Sequence, residues 1–127
     1  MNVKQAYSKF IDTHTETNEH HWDSNLKTHY FKTTKDKAFE AVEAFFRKSP
    51  SFEIVAVSKE HGEVSVNYKK GKKAFVIATI IMVKPFRTAI DFSVTTESIL
   101  PVDFGFGHKL ISFLYKELGK DLILIKE

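Results

Sequence analysis

The chain has no cysteine, no apolar run near the roughly 18 residues that span a bilayer, and no marked excess of one charge. Without cysteine there can be no disulfide, no thiolate metal site and no Cys nucleophile, a composition compatible with a reducing compartment. The first residues include Asn2, Lys4 and Gln5 and lack the apolar core of a signal peptide. A cytoplasmic protein with no transmembrane segment is therefore expected. A net charge of +3 is too mild for a dedicated nucleic-acid binder, which concentrates base on one face, so nucleic acid is not an expected partner.

Phenylalanine, by contrast, is abundant. Twelve Phe in 127 residues, with 43% of the chain apolar, supply enough material for one buried core and predict a single domain over residues 1–127. Val3, Ala6, Tyr7, Phe10 and Ile11 recur at helical spacing and predict an amphipathic helix over 1–13. Residues 14–25 contain one large apolar side chain, Trp22, and read as a solvated polar connector to an α+β core over 26–127.

Leu26, Thr28 and Tyr30 alternate with Lys27, His29 and Phe31, the pattern of a first strand. Thr33 with Asp36, or Thr34 alone, then caps a helix whose stripe is Phe39, Val42, Phe45 and Phe46 and which ends at Pro50. Strands follow at about 52–58, 63–69, 74–83 and 87–95, joined by links so short that neighbours must run antiparallel. A last helix, about 104–118, carries Phe106, Leu110, Ile111, Phe113, Leu114 and Leu118 on one arc, with Gly119 as a left-handed stop. The residues beyond it, Leu122 to Ile125, form a short strand or an apolar tail.

The expected fold is thus α+β, a β-α-β-β-β-β-α antiparallel meander packed against a long C-terminal helix, with an extra N-terminal helix. This order resembles the helix-grip or TATA-binding-protein-like class over residues 26–118, which implies strands wrapped around the closing helix. A second resemblance rests on Ile90-Asp91-Phe92-Ser93-Val94-Thr95, then Asp103-Phe104-Gly105, then the helix 109–118. It is similar to the C-terminal segment of the bacterial domain-of-unknown-function family 1499, but that family's pattern has arginines beside the hydroxyls, whereas this chain has Val94 and Glu97 nearby and no Arg after Arg87. That likeness implies no activity.

His14, Glu16, Glu19, His20, His21 and Asp23 form the densest cluster of potential metal ligands. Were the segment helical, Glu16, His20 and Asp23 would share a face able to hold a divalent ion. The plainer account is an acidic, His-bearing linker in water, so no metal and no cofactor is expected. Asp103 stands either at the mouth of a pocket or, more simply, as a cap on the last helix. Gly105 and Gly107 lack the lysine and the spacing of a phosphate loop. His108 reads as an exposed residue on the helix's polar side. Lys69, Lys70, Lys72 and Lys73 occupy one hairpin tip and Lys84 and Arg87 the next, at opposite ends of the sheet, so they make no common groove.

The leading expectation is a non-enzymatic domain that binds an apolar small molecule or a peptide between the C-terminal helix and the sheet. Phe106, Leu110, Phe113, Leu114 and Asp103 are its candidate contacts. The alternative is a protein–protein interaction module or homodimer acting through an apolar surface. An enzyme would require Asp91, Asp103 and His108 to converge in a cleft.

Overall fold

A computed structural model of the chain describes residues 14–96 and 105–126. The predicted helix over 1–13 and Asp103 lie outside the described residues. Six antiparallel strands form one sheet: β1 (His14–Glu16), β2 (His29–Phe31), β3 (Phe52–Ser58), β4 (Glu63–Tyr68), β5 (Ala74–Lys84) and β6 (Arg87–Thr96). Their order is β1-β6-β5-β4-β3, and β2 also pairs with β6, beside β1. The α+β class and the meander of the last four strands are as the sequence predicts.

Alternation along the strands sets the inner face. Val64, Ala78 and Phe92 are successive register partners, as are Val66, Val76 and Val94, and all six are buried. Helix α1 (Lys35–Lys48) adds Ala38, Phe39, Val42 and Phe46 to the same cluster, and helix α2 (Phe106–Leu118) adds Leu110, Ile111, Leu114 and Leu118. Rings knit these layers together at centroid distances of 5.0 Å (Phe46–Phe52), 5.2 Å (Phe52–Tyr68) and 5.6 Å (Tyr68–Phe106). Here the phenylalanine content finds its use.

Thr34 caps α1, its hydroxyl accepting from the Lys37 N–H at 3.2 Å. Thr33 is buried instead, and its carbonyl accepts from the Thr88 hydroxyl at 2.8 Å, fixing the helix start to β6. On the wet side Arg47 donates from Nε and Nη2 to Glu43 at 2.9 and 2.7 Å. β3 is an edge strand, and a bulge between Ile54 and Ala56 breaks the regularity of that edge.

Two local expectations need correction, and a third is made definite. The stretch 14–25 is not a solvated connector: β1 pairs with Ser93–Thr95, Thr17 is buried, and Ser24–Leu26 forms a 3-10 turn with Leu26 in the core. Gly119 is right-handed (φ −65°), and α2 runs out through further turns, with Leu122 N–H donating to the Leu118 carbonyl at 2.9 Å. The tail then pairs with β2: Lys32 N–H donates to Ile123 O and Ile125 N–H to Tyr30 O, each at 2.8 Å, around a bridge between Phe31 and Leu124. β2 is therefore bonded on both sides, to β6 and to the tail.

Candidate functional site

The predicted ligand contacts on α2 scatter. Leu110 and Leu114 are buried in the core, Phe106 is half-buried against it, and Phe113 is 45% exposed. None of the four lines the grooves of 390, 470, 440 and 530 Å³ that described residues form. The metal candidates also separate. His14 bonds Thr95 Oγ1 at 2.7 Å and lies 3.4 Å from Glu16 Oε2, whereas the His20 N–H donates to Asn18 Oδ1. Asp23 faces His108. Among the described residues no group of three or more His, Cys, Asp or Glu side chains could hold a metal ion.

His108 is not the exposed residue that the helical pattern suggests. Its Nε2 lies 3.0 Å from Asp23 Oδ2, with the two side chains only 14% and 11% exposed. Asp23 also accepts the Asn25 N–H at 3.0 Å, so one carboxylate shapes the 3-10 turn and ties it to α2. Asp91 and His108 consequently have different partners. A Ser–His contact does exist, Ser58 Oγ to His61 Nδ1 at 2.8 Å, but it is exposed and local to the β3–β4 turn. No carboxylate among the described residues orients His61, so nothing completes a nucleophile's relay.

The polar centre of the molecule lies where β1, β2 and α2 meet β6. Asp91 Oδ1 accepts from two hydroxyls, Thr17 and Thr28, each at 2.6 Å. The same Thr17 oxygen accepts the Phe92 N–H at 2.9 Å, while the Thr17 N–H donates to Phe92 O. Beneath them Tyr115, a helix residue in the core, donates its hydroxyl to Ile90 O at 2.6 Å. Burial holds that phenol far above the usual range.

His29 lies flat on Tyr115, with ring centroids 3.6 Å apart and planes 8° from parallel. Its Nδ1 is 2.8 Å from the Lys27 carbonyl, so this nitrogen carries the hydrogen and donates. Burial pushes the His29 pKa below its ordinary value of 6.5, outweighing the raising effects of that hydrogen bond and of Asp91. The neutral ring is the folded form. In the window between the lowered pKa and 6.5 the unfolded chain binds the extra proton, so stability falls as pH drops through it. His29→Phe, which keeps a ring on Tyr115, is expected to flatten the slope of urea-denaturation stability between about pH 7 and about pH 5. An unchanged slope would assign the acid sensitivity elsewhere.

Two grooves meet at His29. One, of 390 Å³, runs past Glu19, Lys27, Tyr30, Arg87 and Ile125; the other, of 440 Å³, runs along α2 past Ser112, Tyr115, Lys116 and Lys120. His29 and Leu124 line both. In the first groove Tyr30 donates to Glu19 Oε1 at 2.8 Å, and the Arg87 guanidinium sits 4.3 Å from the Tyr30 ring centroid. In the second, Ser112 Oγ is buried and has no hydrogen-bond partner.

Sequence reasoning missed Thr17, Thr28, His29 and Tyr115. The one usable signal was Tyr115 itself, a hydroxyl set between Leu114 and Leu118 on the apolar arc, where a buried phenol needs an acceptor. No protein-family model matches the chain, and no curated protein or solved structure matches it.

Proposed function

We propose that this protein is a binding domain for a small molecule with an apolar body and an anionic end, held beside the C-terminal helix in the paired grooves around His29. The observation that carries the reading is Ser112 Oγ, buried without a partner in a residue that lines the groove. An unsatisfied buried hydroxyl costs about 1–3 kcal/mol, and rotation of the Ser112 side chain toward the groove lets a ligand group bond it and recover that loss. Leu124 and Ile125 offer apolar surface, and Lys27 and Lys116 bring positive charge to the rim. Neutral His29 adds a flat face and, at Nε2, an acceptor. The ligand lies against the outer flank of α2, because the inner flank is occupied by its own core.

8-Anilinonaphthalene-1-sulfonate has the required form, fused rings with one sulfonate, and serves as the probe. The native chain is expected to bind it one-to-one with enhanced fluorescence. Leu124→Glu, a change at a solvent-accessible tail position, is expected to weaken binding about tenfold or more while leaving the fold intact. Equal binding by the two proteins, or none by either, would refute the reading. Native mass spectrometry of protein purified gently from its host should show an added mass in the natural chain that Leu124→Glu loses.

A further inference from the structure

β5 outruns its neighbour. Pairing with β4 ends at Glu63–Thr79, and the Ile80 N–H is taken by Gly62 O at 2.7 Å. From Ile81 to Lys84 the strand is paired on the β6 side alone among the described residues; β6 keeps β2 as its other neighbour as far as Thr88, the partner of Met82, so Val83 to Phe86 form a tip beyond the last β2 pair, with Ile81 and Met82 at its root. Its side chains are apolar and in water: Ile81 is 51% exposed, Met82 46%, Val83 53% and Phe86 61%.

The turn itself is unusual. Lys84 and Arg87 are register partners, so Pro85 and Phe86 alone make the connection, and Phe86 adopts φ +58°. It is the only non-glycine residue with positive φ among those described. A Pro-X turn of this kind asks for glycine at the second position, because a Cβ there meets the following carbonyl. Phenylalanine instead accepts the strain and leaves most of its surface in solvent, so packing within the chain offsets little of the cost. Strain with so small a local return points to a contact made outside the molecule.

Area and charge decide the kind of contact. The four side chains expose on the order of 400 Å², enough for a functional patch but about half of what each partner buries in a stable protein–protein interface. A bilayer surface requires only a few apolar groups beside cations. Between Glu63 and Asp91 the chain has no acid, and Lys84 and Arg87 flank the tip directly. Lys35 lies against the Gly62 turn beside Ile80, with its Cε 3.2 Å from where a Cβ on that glycine would stand.

We propose that this hairpin tip seats the protein on an anionic bilayer, with Ile81, Met82, Val83 and Phe86 entering the interfacial layer and Lys84 and Lys35 meeting the headgroups. The contact is reversible and adds no spanning segment; no helix among the described residues is long and apolar enough to cross a membrane.

Cosedimentation of the full chain with vesicles of equal parts phosphatidylglycerol and phosphatidylcholine, against phosphatidylcholine alone, tests this. Binding is expected to the anionic vesicles only, falling with salt and falling several-fold in Lys84→Glu. Phe86→Gly separates function from folding, since glycine suits φ +58°: the denaturation midpoint should stay level or rise while vesicle binding drops several-fold. Unchanged binding by Phe86→Gly would overturn the proposal, as would a natural chain that leaves both vesicles in the pellet empty of protein. A natural chain that ignores vesicles and runs as a dimer split by Phe86→Gly would overturn it in favour of a second copy.

Discussion

Asp91→Ala is expected to destabilise the fold by about 2–4 kcal/mol, and Asp91→Asn by about 1 kcal/mol, as read by urea denaturation of the full chain. The carboxylate is the shared acceptor for Thr17 and Thr28, in two part-buried bonds of 2.6 Å each. Hydrogen bonds to a charged acceptor stabilise by about 1.5–3 kcal/mol each, and partial solvent access brings the sum toward the lower end. Alanine leaves two hydroxyls without their acceptor, whereas asparagine keeps an oxygen in nearly the same place. Removing the orphaned groups should restore part of the loss: Thr28→Val in the Asp91→Ala background is expected to cost less than in the natural chain, a coupling of about 1 kcal/mol. Additive effects would show that Asp91 does not act through these hydroxyls. The consequence reaches the binding site, because the chain between Thr17 and Thr28 carries Glu19, Ser24, Asn25 and Lys27 along the walls of both grooves. A chain lacking Asp91 should therefore lose the fluorescent probe before it unfolds.

The same carboxylate shows how far sequence patterns reach. Alternation along Arg87–Thr96 puts Asp91 opposite Ile90 and Phe92, on the wet face, and its side chain is indeed on that face, with Thr79 as register partner. The pattern is silent on what covers it. β1 is three residues, His-Thr-Glu, with no apolar alternation at all; its strand conformation comes from β6, which supplies the ladder and the threonine acceptor. The meander strands and α1 are legible because α1, β4 and β6 each carry their own periodicity over six or more residues, and β5 is one long apolar run bounded by turn residues. The grooves are not, because their walls come from residues 19–30, Arg87 and 112–125, brought together only when β2 is bonded to both β6 and the tail. The closing helix likewise announces its apolar arc, but spacing does not distinguish an arc that lines a hollow from one that fills it. Leu110 and Leu114 fill it.

Gly62→Ala is expected to cost about 3–4 kcal/mol, and Gly71→Ala only about 1 kcal/mol, although both glycines are left-handed, at φ +68° and +83°. The two positions share the conformational penalty and differ in their surroundings. A Cβ on Gly71 would have nothing within 4 Å, whereas one on Gly62 would stand 2.3 Å from the Ile80 carbonyl oxygen. That oxygen is backbone, in the central strand, at the residue whose N–H donates to Gly62 itself. It cannot rotate aside as a side chain would, so the β4–β5 ladder must open at its last bonded pair. Denaturant midpoints of the two variants measure the difference, and equal midpoints would show that the strand yields freely. The position matters beyond stability, because Ile80 is the last residue of β5 supported from the β4 side before the apolar tip begins. Gly62 and Phe86 thus use the same region of backbone space for opposite ends. Glycine relieves a close approach that roots the hairpin, and phenylalanine accepts strain to show a ring at its far end. Exchange of the backbone amides from Ile81 to Lys84 should accelerate in Gly62→Ala even where the core remains protected, and the variant's vesicle binding should fall with the loss of a rigid root.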